Sequence, residues 1–243
     1  MIFCRVLLLV AILMTPAFSA PLRIVCLGDS ITGPGPDAPG KPAEYDPSDG
    51  PSQQRQYLNS YAKYADLLQL VLETHMGEGK VEVFNRGWAG NTSTQALARV
   101  DSAVAPLKPA IVTVLIGGND FGGGVTPEVS QQLHTNLTSI VDKCKSAGAK
   151  VLLIEYATPR ADDMSHVWTH LNAGNPVIAQ VAKEEDVPTL ELAPLFDEAA
   201  KTHALSDLAS PYDGVHFNPY GEIVTSRAIY FKLLDLDWLP PGA

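Results

Sequence analysis

Short apolar runs alternate along the chain with longer segments that have helical spacing. The apolar runs are rich in Val, Ile and Leu and cover residues 23–27, 81–85, 110–116, 151–156 and 188–192. Apolar positions recur with helical periodicity over residues 57–75, 92–104, 126–147, 176–185, 193–203 and 219–234. Because strands alternate with helices, the pattern predicts an α/β fold, with a parallel sheet covered on both faces.

Two irregular segments interrupt this alternation. Residues 33–56 contain seven prolines or glycines between Gly33 and Pro42, which excludes a helix there. Residues 157–171 form the second segment. Loops of this length within a compact domain are usually functional or mobile. The pattern leaves open whether either one closes over a substrate as a lid.

The N-terminus has the layout of a secretory signal. One positive charge precedes an apolar run that is too short to span a bilayer, and small residues follow it. Ala17 and Ser19 suit the positions before a cleavage site, so we expect cleavage after Ser19, with Ala20 as the alternative. The expected organisation is a signal peptide over residues 1–19 and a single domain over residues 20–243, in a secreted or periplasmic protein without stable membrane insertion.

The net charge of the chain limits the kinds of molecule that it is expected to bind. The chain of 243 residues has 17 Lys and Arg against 27 Asp and Glu, a net charge of −10. Removal of the signal, with Arg5, leaves 16 basic and 27 acidic residues and a net charge of −11. Binding to phosphates needs clustered Lys and Arg, so this balance argues against nucleic acid or anionic membrane as the main partner. No sequence feature indicates the oligomeric state.

The cysteines and histidines indicate neither a disulfide nor a metal. Cys26 lies within a predicted strand and Cys144 within a predicted helix, so we expect two buried apolar side chains. His166 and His170 are four residues apart and could bind a metal, but no acidic or cysteine ligand completes a known spacing. A lid or a solvated loop is the favoured interpretation of that pair, and we expect no metal and no cofactor.

Four polar stretches follow predicted strands or precede the last predicted helix. They are Gly28-Asp29-Ser30, Gly87-Trp88-Ala89-Gly90-Asn91, Gly117-Gly118-Asn119-Asp120 and Asp213-Gly214-Val215-His216. The C-terminal ends of parallel strands lie at one edge of a sheet, where ligand and catalytic sites of open α/β sheets are found. The four stretches can therefore converge on one site.

Together these stretches contain the groups that serine acyl transfer needs. Ser30 is a candidate nucleophile and His216 a base that can take its proton. Asp213 is close enough to orient the imidazole of His216. Gly90 can present its backbone N–H, and Asn119 its side-chain amide, to a developing oxyanion. Each stretch alone has a simpler interpretation, as a strand-to-turn junction, a turn glycine, a loop cap or a helix-entry loop.

In this combination the chain resembles the SGNH hydrolases, the GDSL-type esterases and lipases, which are named for Ser, Gly, Asn and His in four sequence blocks. All four blocks match in order between residues 28 and 216. The first block has Ile31 where the literal motif has Leu, an apolar exchange. The insertion over residues 33–56 is less usual for the family and bears on the shape of the substrate pocket.

The resemblance implies a flavodoxin-like, three-layer α/β/α sandwich with a five-stranded parallel sheet in the order 2-1-3-4-5. It also implies a catalytic triad of Ser30, Asp213 and His216. The implied oxyanion hole consists of the Ser30 N–H, the Gly90 N–H and the Asn119 amide.

The substrate is expected to be a small-molecule or polysaccharide ester. Export and an acidic surface favour O-acetyl or short acyl groups on carbohydrate over long-chain lipid. Trp88 could form a wall of the pocket, and Trp168 and Tyr212 could stack on a sugar ring or shelter the site. Two alternatives remain: a lipase or thioesterase for longer acyl chains, and a non-catalytic glycan-binding module on the same fold.

Overall fold

A computed structural model of the chain describes residues 20–33, 62–158, 170–210 and 213–241. The predicted signal peptide and most of the two irregular segments lie outside the described residues. So does the first part of the helix predicted over residues 57–75.

Five strands in the described part of the chain form one parallel sheet. They are β1 (Leu22–Gly28), β2 (Val81–Gly87), β3 (Ile111–Leu115), β4 (Lys150–Glu155) and β5 (Thr189–Glu191). Their order is β2-β1-β3-β4-β5, which confirms the predicted topology. Every residue of β3 is buried, as expected for a central strand with both faces covered.

Helices flank the sheet in two groups. They are α1 (Tyr64–Met76), α2 (Ser93–Val104), α3 (Pro127–Ser146), α4 (Asn175–Glu184), α5 (Ala193–Ala199), α6 (Leu205–Leu208) and α7 (Pro219–Asp235). In one group α3 packs between α2 and α4, and in the other α1, α5 and α6 pack on α7. The arrangement is the predicted α/β/α sandwich. No helix among the described residues is long and apolar enough to cross a bilayer.

Local sequence signals explain where several helices begin. Thr92 and Gln95 form a capping box at the start of α2, in which each side chain bonds to the backbone N–H of the other residue. Thr126 caps α3, and Pro127 occupies its first position, where proline is favoured. Among the described residues, helix α1 begins at Tyr64, and its N-cap Lys63 has extended backbone angles.

The helix predicted near residues 193–203 is present, but it is shorter than predicted. Helix α5 ends at Ala199, and a separate short helix, α6, follows. The His203 ring instead stacks on Tyr220 of α7, with ring centroids 3.8 Å apart.

Three neighbouring strands, β2, β1 and β3, end level with one another at the edge where the polar stretches emerge. Gly28 of β1 pairs with Gly87 of β2 on one side and with Leu115 of β3 on the other. Residues Ile24 to Leu27 of β1 are fully buried, which fixes this strand in the middle of the core. The prediction for Cys26 and Cys144 is also confirmed, since both are buried and neither is in a disulfide.

Candidate active site

Ser30 lies in a tight turn directly after β1. The Asp29 carbonyl accepts hydrogen bonds from the N–H groups of Thr32 and Gly33, at 3.1 and 3.0 Å. The Asp29 side chain accepts a third from the Ile31 N–H at 2.9 Å, which is an Asx turn. The carboxylate thus braces the turn, and Ser30 is partly exposed.

His216 connects Ser30 to Asp213. The His216 Nε2 atom lies 2.8 Å from Ser30 Oγ, and its Nδ1 atom lies 2.7 Å from Asp213 Oδ2. The other carboxylate oxygen of Asp213 accepts the backbone N–H groups of Val215 and His216, at 2.9 and 3.0 Å. The backbone of this short loop therefore fixes the carboxylate, which in turn fixes the plane of the imidazole.

The hydrogen bonds of Asp213 assign the histidine tautomer. Burial acts to raise the pKa of the Asp213 carboxyl. The hydrogen bond and charge of His216 and the two backbone N–H groups outweigh burial and hold the pKa below its usual value. An ionised carboxylate only accepts hydrogen bonds, so His216 Nδ1 carries a proton. In the neutral ring Nε2 is then an acceptor for the Ser30 hydroxyl, which is the arrangement of a general base beside a nucleophile.

The Asn119 amide lies between the turn of Ser30 and the turn of Gly90. Its Nδ2 atom donates to the Asn91 carbonyl at 3.0 Å and lies 3.5 Å from Asp29 Oδ2. The first bond sets the orientation of the amide. The second is long and weak, so that N–H can still bind a developing oxyanion.

The Gly90 turn connects β2 to α2. Gly90 has a φ of 76°, a left-handed conformation that disfavours other residues. Trp88, in the same turn, donates its backbone N–H to the Gly28 carbonyl at 2.9 Å, and its side chain is 45% exposed. It is thus available at the surface beside the site. Trp168 and Tyr212, the other predicted substrate contacts, lie outside the described residues.

Asp120 connects the third polar stretch to α2. Its carboxylate accepts the Ser93 N–H at 2.8 Å and the Ser93 hydroxyl at 2.5 Å. Asn136 of α3 donates to the same hydroxyl at 2.8 Å. An anion at a helix N-terminus is favourable, so Asp120 ties the third polar stretch to the start of α2.

Tyr156 is a site neighbour that sequence reasoning missed. It directly follows β4, is fully buried, and donates its hydroxyl to Asp29 Oδ2 at 2.5 Å. Burial raises the pKa of Asp29 to about 6, although the hydrogen bonds from Tyr156 and the Ile31 N–H and the charge of His216 lower it. The sequence gives no signal for this contact because Tyr156 reads as the last apolar residue of a strand.

The described residues contain no group of three or more His, Cys, Asp or Glu side chains that could hold a metal ion. Of the histidine pair considered above, His170 is described and His166 lies outside the described residues.

Comparisons with known proteins find a matching family and several relatives. Residues 26–222 match the model of the GDSL-like Lipase/Acylhydrolase family. Esterase TesA from Pseudomonas aeruginosa is 42% identical over 116 residues, which cover 48% of this chain and 53% of that protein. The thioesterase 1/protease 1/lysophospholipase L1 of Escherichia coli is 32% identical over 143 residues, which cover 58% of this chain and 62% of that protein. The match therefore spans only about half to three-fifths of these two relatives.

More distant relatives match over nearly their whole length. An acetylxylan esterase from Geobacillus stearothermophilus is 23% identical over 224 residues, which cover 89% of this chain and 95% of that protein. A crystal structure of an acetylxylan esterase from the same organism has a TM-score of 0.67 at 20% identity, covering 88% of this chain and 95% of that one. An alpha/beta hydrolase from the metagenome of Lake Arreo has a TM-score of 0.65 at 22% identity, with the same two coverages. These structural likenesses support the fold.

Proposed function

The chain belongs to the GDSL-like lipase/acylhydrolase family, a family of ester-hydrolysing enzymes, and we propose that it is an exported serine esterase with Ser30 as its nucleophile. One observation carries the assignment of residues: the two short contacts, of 2.7 and 2.8 Å, that join Asp213 to His216 and His216 to Ser30. The match over residues 26–222 supports the reaction class. The layout of residues 1–19 supports export.

The proposed reaction has two steps. In the first, Ser30 Oγ attacks the ester carbonyl carbon while His216 Nε2 takes the hydroxyl proton, and His216 then gives that proton to the departing alcohol. In the second, water attacks the acyl-enzyme with His216 again as the base, which releases the acid and regenerates Ser30. Asp213 holds the imidazole in place and stabilises its charged form in both steps.

The proposed oxyanion hole stabilises the tetrahedral intermediates of both steps. Its donors are the backbone N–H groups of Ser30 and Gly90 and the Asn119 amide, whose orientation is set by the bond to Asn91. Loss of one such donor typically lowers kcat by about 100- to 1,000-fold.

We propose O-acetyl or short acyl esters of carbohydrates as the substrate class. The likeness to an acetylxylan esterase over 95% of its length supports this choice, as does the half-exposed Trp88 ring beside the site, a surface on which a sugar ring can stack. The higher identity to an esterase and a thioesterase/lysophospholipase, over about half of each, supports longer acyl chains instead. A glycan-binding module without turnover is the third alternative.

Replacement of Ser30 by Ala tests the reaction. We expect Ser30→Ala to lower kcat for p-nitrophenyl acetate by about four orders of magnitude or more, because the nucleophile is lost, while the unfolding transition stays cooperative. Ser139→Ala is the matched control, since Ser139 is a serine of α3 whose hydroxyl only donates to the Thr135 carbonyl of its own helix. Undiminished turnover by folded Ser30→Ala would refute the proposal.

A series of p-nitrophenyl esters with acyl groups from two to twelve carbons tests the substrate class. We expect kcat/KM to be highest for the shortest acyl groups and to fall with length, and acetylated xylan or pectin to be hydrolysed faster than triglyceride. A preference for long acyl chains would favour the thioesterase or lipase alternative. Binding of acetylated polysaccharide without any ester turnover would favour the glycan-binding module.

A further inference from the structure

Arg99 of α2 joins three segments of the site edge through one guanidinium group. Its Nη2 donates to the Gly28 carbonyl at 2.8 Å and its Nη1 to the Arg86 carbonyl at 3.0 Å. Its Nε donates to the Asn91 side-chain oxygen at 2.7 Å. The acceptors lie at the end of β1, near the end of β2, and in the turn that precedes α2.

Two of the three acceptors, Gly28 and Asn91, lie close to groups that the proposed reaction uses. Gly28 is two residues before Ser30, and Asn91 directly follows Gly90 in the chain. The Asn91 carbonyl also accepts the Asn119 amide, at 3.0 Å. All three proposed oxyanion donors are therefore within two residues, or one hydrogen bond, of a residue that Arg99 binds.

We propose that Arg99 is a positioning residue that holds the turn of Ser30 and the turn of Gly90 at the spacing that a developing oxyanion requires. This inference rests on the function proposed above and adds a residue to it. Arg99 touches neither the nucleophile nor the base, and acts through the backbone and through Asn91.

The chemistry of arginine suits this position. A guanidinium presents donors in a rigid planar fork, whereas a lysine ammonium is a single point charge on a flexible stem. Burial lowers the pKa of Arg99 to about 10, although the charge of Asp29 acts to raise it, so the group is fully charged at neutral pH. The guanidinium carbon also lies 5.9 Å from the centre of the Trp88 ring, which adds a cation–π contact in the same turn.

A comparison of two arginines separates positioning from general stabilisation. Arg23, near the opposite end of β1, also bridges separate segments, with Nε 2.7 Å from Glu82 and Nη1 3.3 Å from the Leu107 carbonyl. We expect Arg99→Met and Arg23→Met both to lower the melting temperature. Only Arg99→Met should lower kcat for p-nitrophenyl acetate, by about 10- to 100-fold, because the oxyanion donors are misplaced.

The split between kcat and KM is the second readout. We expect KM of Arg99→Met to stay within about threefold of the wild-type value, because the loss concerns the transition state. Arg99→Lys keeps the positive charge but lacks the planar set of donors. Its melting temperature should therefore be closer to that of the wild type, while its kcat should still fall by about 10-fold or more. If Arg99→Met does not fold, Arg99→Lys carries the test.

Two outcomes would count against different claims. If a folded Arg99 variant has the same kcat as Arg23→Met, the positioning role of Arg99 is refuted and the proposed esterase stands. If folded Ser30→Ala hydrolyses p-nitrophenyl acetate with the kcat of the wild type, the proposed function itself is refuted.

Discussion

At the scale of single residues, the site contains a buried carboxyl group, that of Asp29, whose pKa is raised. Asp29 is fully buried beside Ser30, and its pKa is raised to about 6, chiefly by burial. The folded chain therefore binds more protons at this group than the unfolded chain does between about pH 4 and pH 6. The contribution of Asp29 to stability is fully present below pH 4 and is lost as the pH rises through 6.

The hydroxyl of Tyr156 partly offsets this loss. It donates to Asp29 at 2.5 Å, and a hydrogen bond to an ionised acceptor is worth more than one to a neutral acceptor. We expect Tyr156→Phe to raise the pKa of Asp29 further. We also expect it to lower the free energy of unfolding by about 1 kcal/mol more at pH 8 than at pH 5, measured by urea denaturation.

Tyr64 provides the control for this effect. It is equally buried, but its hydroxyl bonds to the neutral hydroxyl of Thr32 at 2.9 Å. Tyr64→Phe should therefore cost the same free energy at pH 5 and at pH 8. An equal cost at both pH values for Tyr156→Phe would show that Asp29 does not change its charge in this range.

At the scale of elements, the junction of β1 and β2 depends on the absence of one side chain. A Cβ atom on Gly87 would lie 2.2 Å from the Gly33 nitrogen and 2.7 Å from the Thr32 carbonyl carbon. Both atoms are backbone of the turn that carries Ser30, so the clash cannot be relieved by a change of rotamer. Gly87 thus allows the end of β2 to pack directly against that turn.

We expect Gly87→Ala to lower the free energy of unfolding by about 3 kcal/mol, and kcat as well, because the Ser30 turn must shift. Gly90→Ala should cost only about 1 kcal/mol for its left-handed φ, since a Cβ there meets nothing within 4 Å. Gly122→Ala is a control with open space and no positive φ. Urea denaturation and steady-state kinetics measure both quantities, and a Gly87→Ala variant as stable as Gly122→Ala would contradict the account.

At the scale of the whole molecule, the sequence predicts what is encoded locally. The strand order was predictable only through the resemblance to the family. The shared edge of the four polar stretches was predictable because each stretch follows a strand or precedes a helix. Helix starts such as Thr126-Pro127 were predictable because a capping threonine followed by proline is a signal contained in adjacent residues.

Long-range contacts were not predictable from one sequence. Tyr156 and Asp29 are 127 residues apart, and the buried ion pair of Lys63 and Glu222, at 2.5 Å, joins residues 159 apart. Arg99 belongs to no recognisable sequence motif. Its contacts were not predictable because two of its three acceptors are backbone carbonyls, which every residue has. Periodicity along one helix also could not reveal that His203, beyond the end of α5, stacks on Tyr220.

The central claim, that the chain is a serine hydrolase with Ser30 as nucleophile, is tested most directly by covalent labelling with a fluorophosphonate. We expect about one adduct per chain, located by peptide mapping on Ser30, with ester turnover falling in proportion to the labelled fraction. Labelling of His216→Ala should be slower by orders of magnitude, because Ser30 then has no base. An adduct on a different residue, or continued turnover when Ser30 is fully labelled, would contradict the claim.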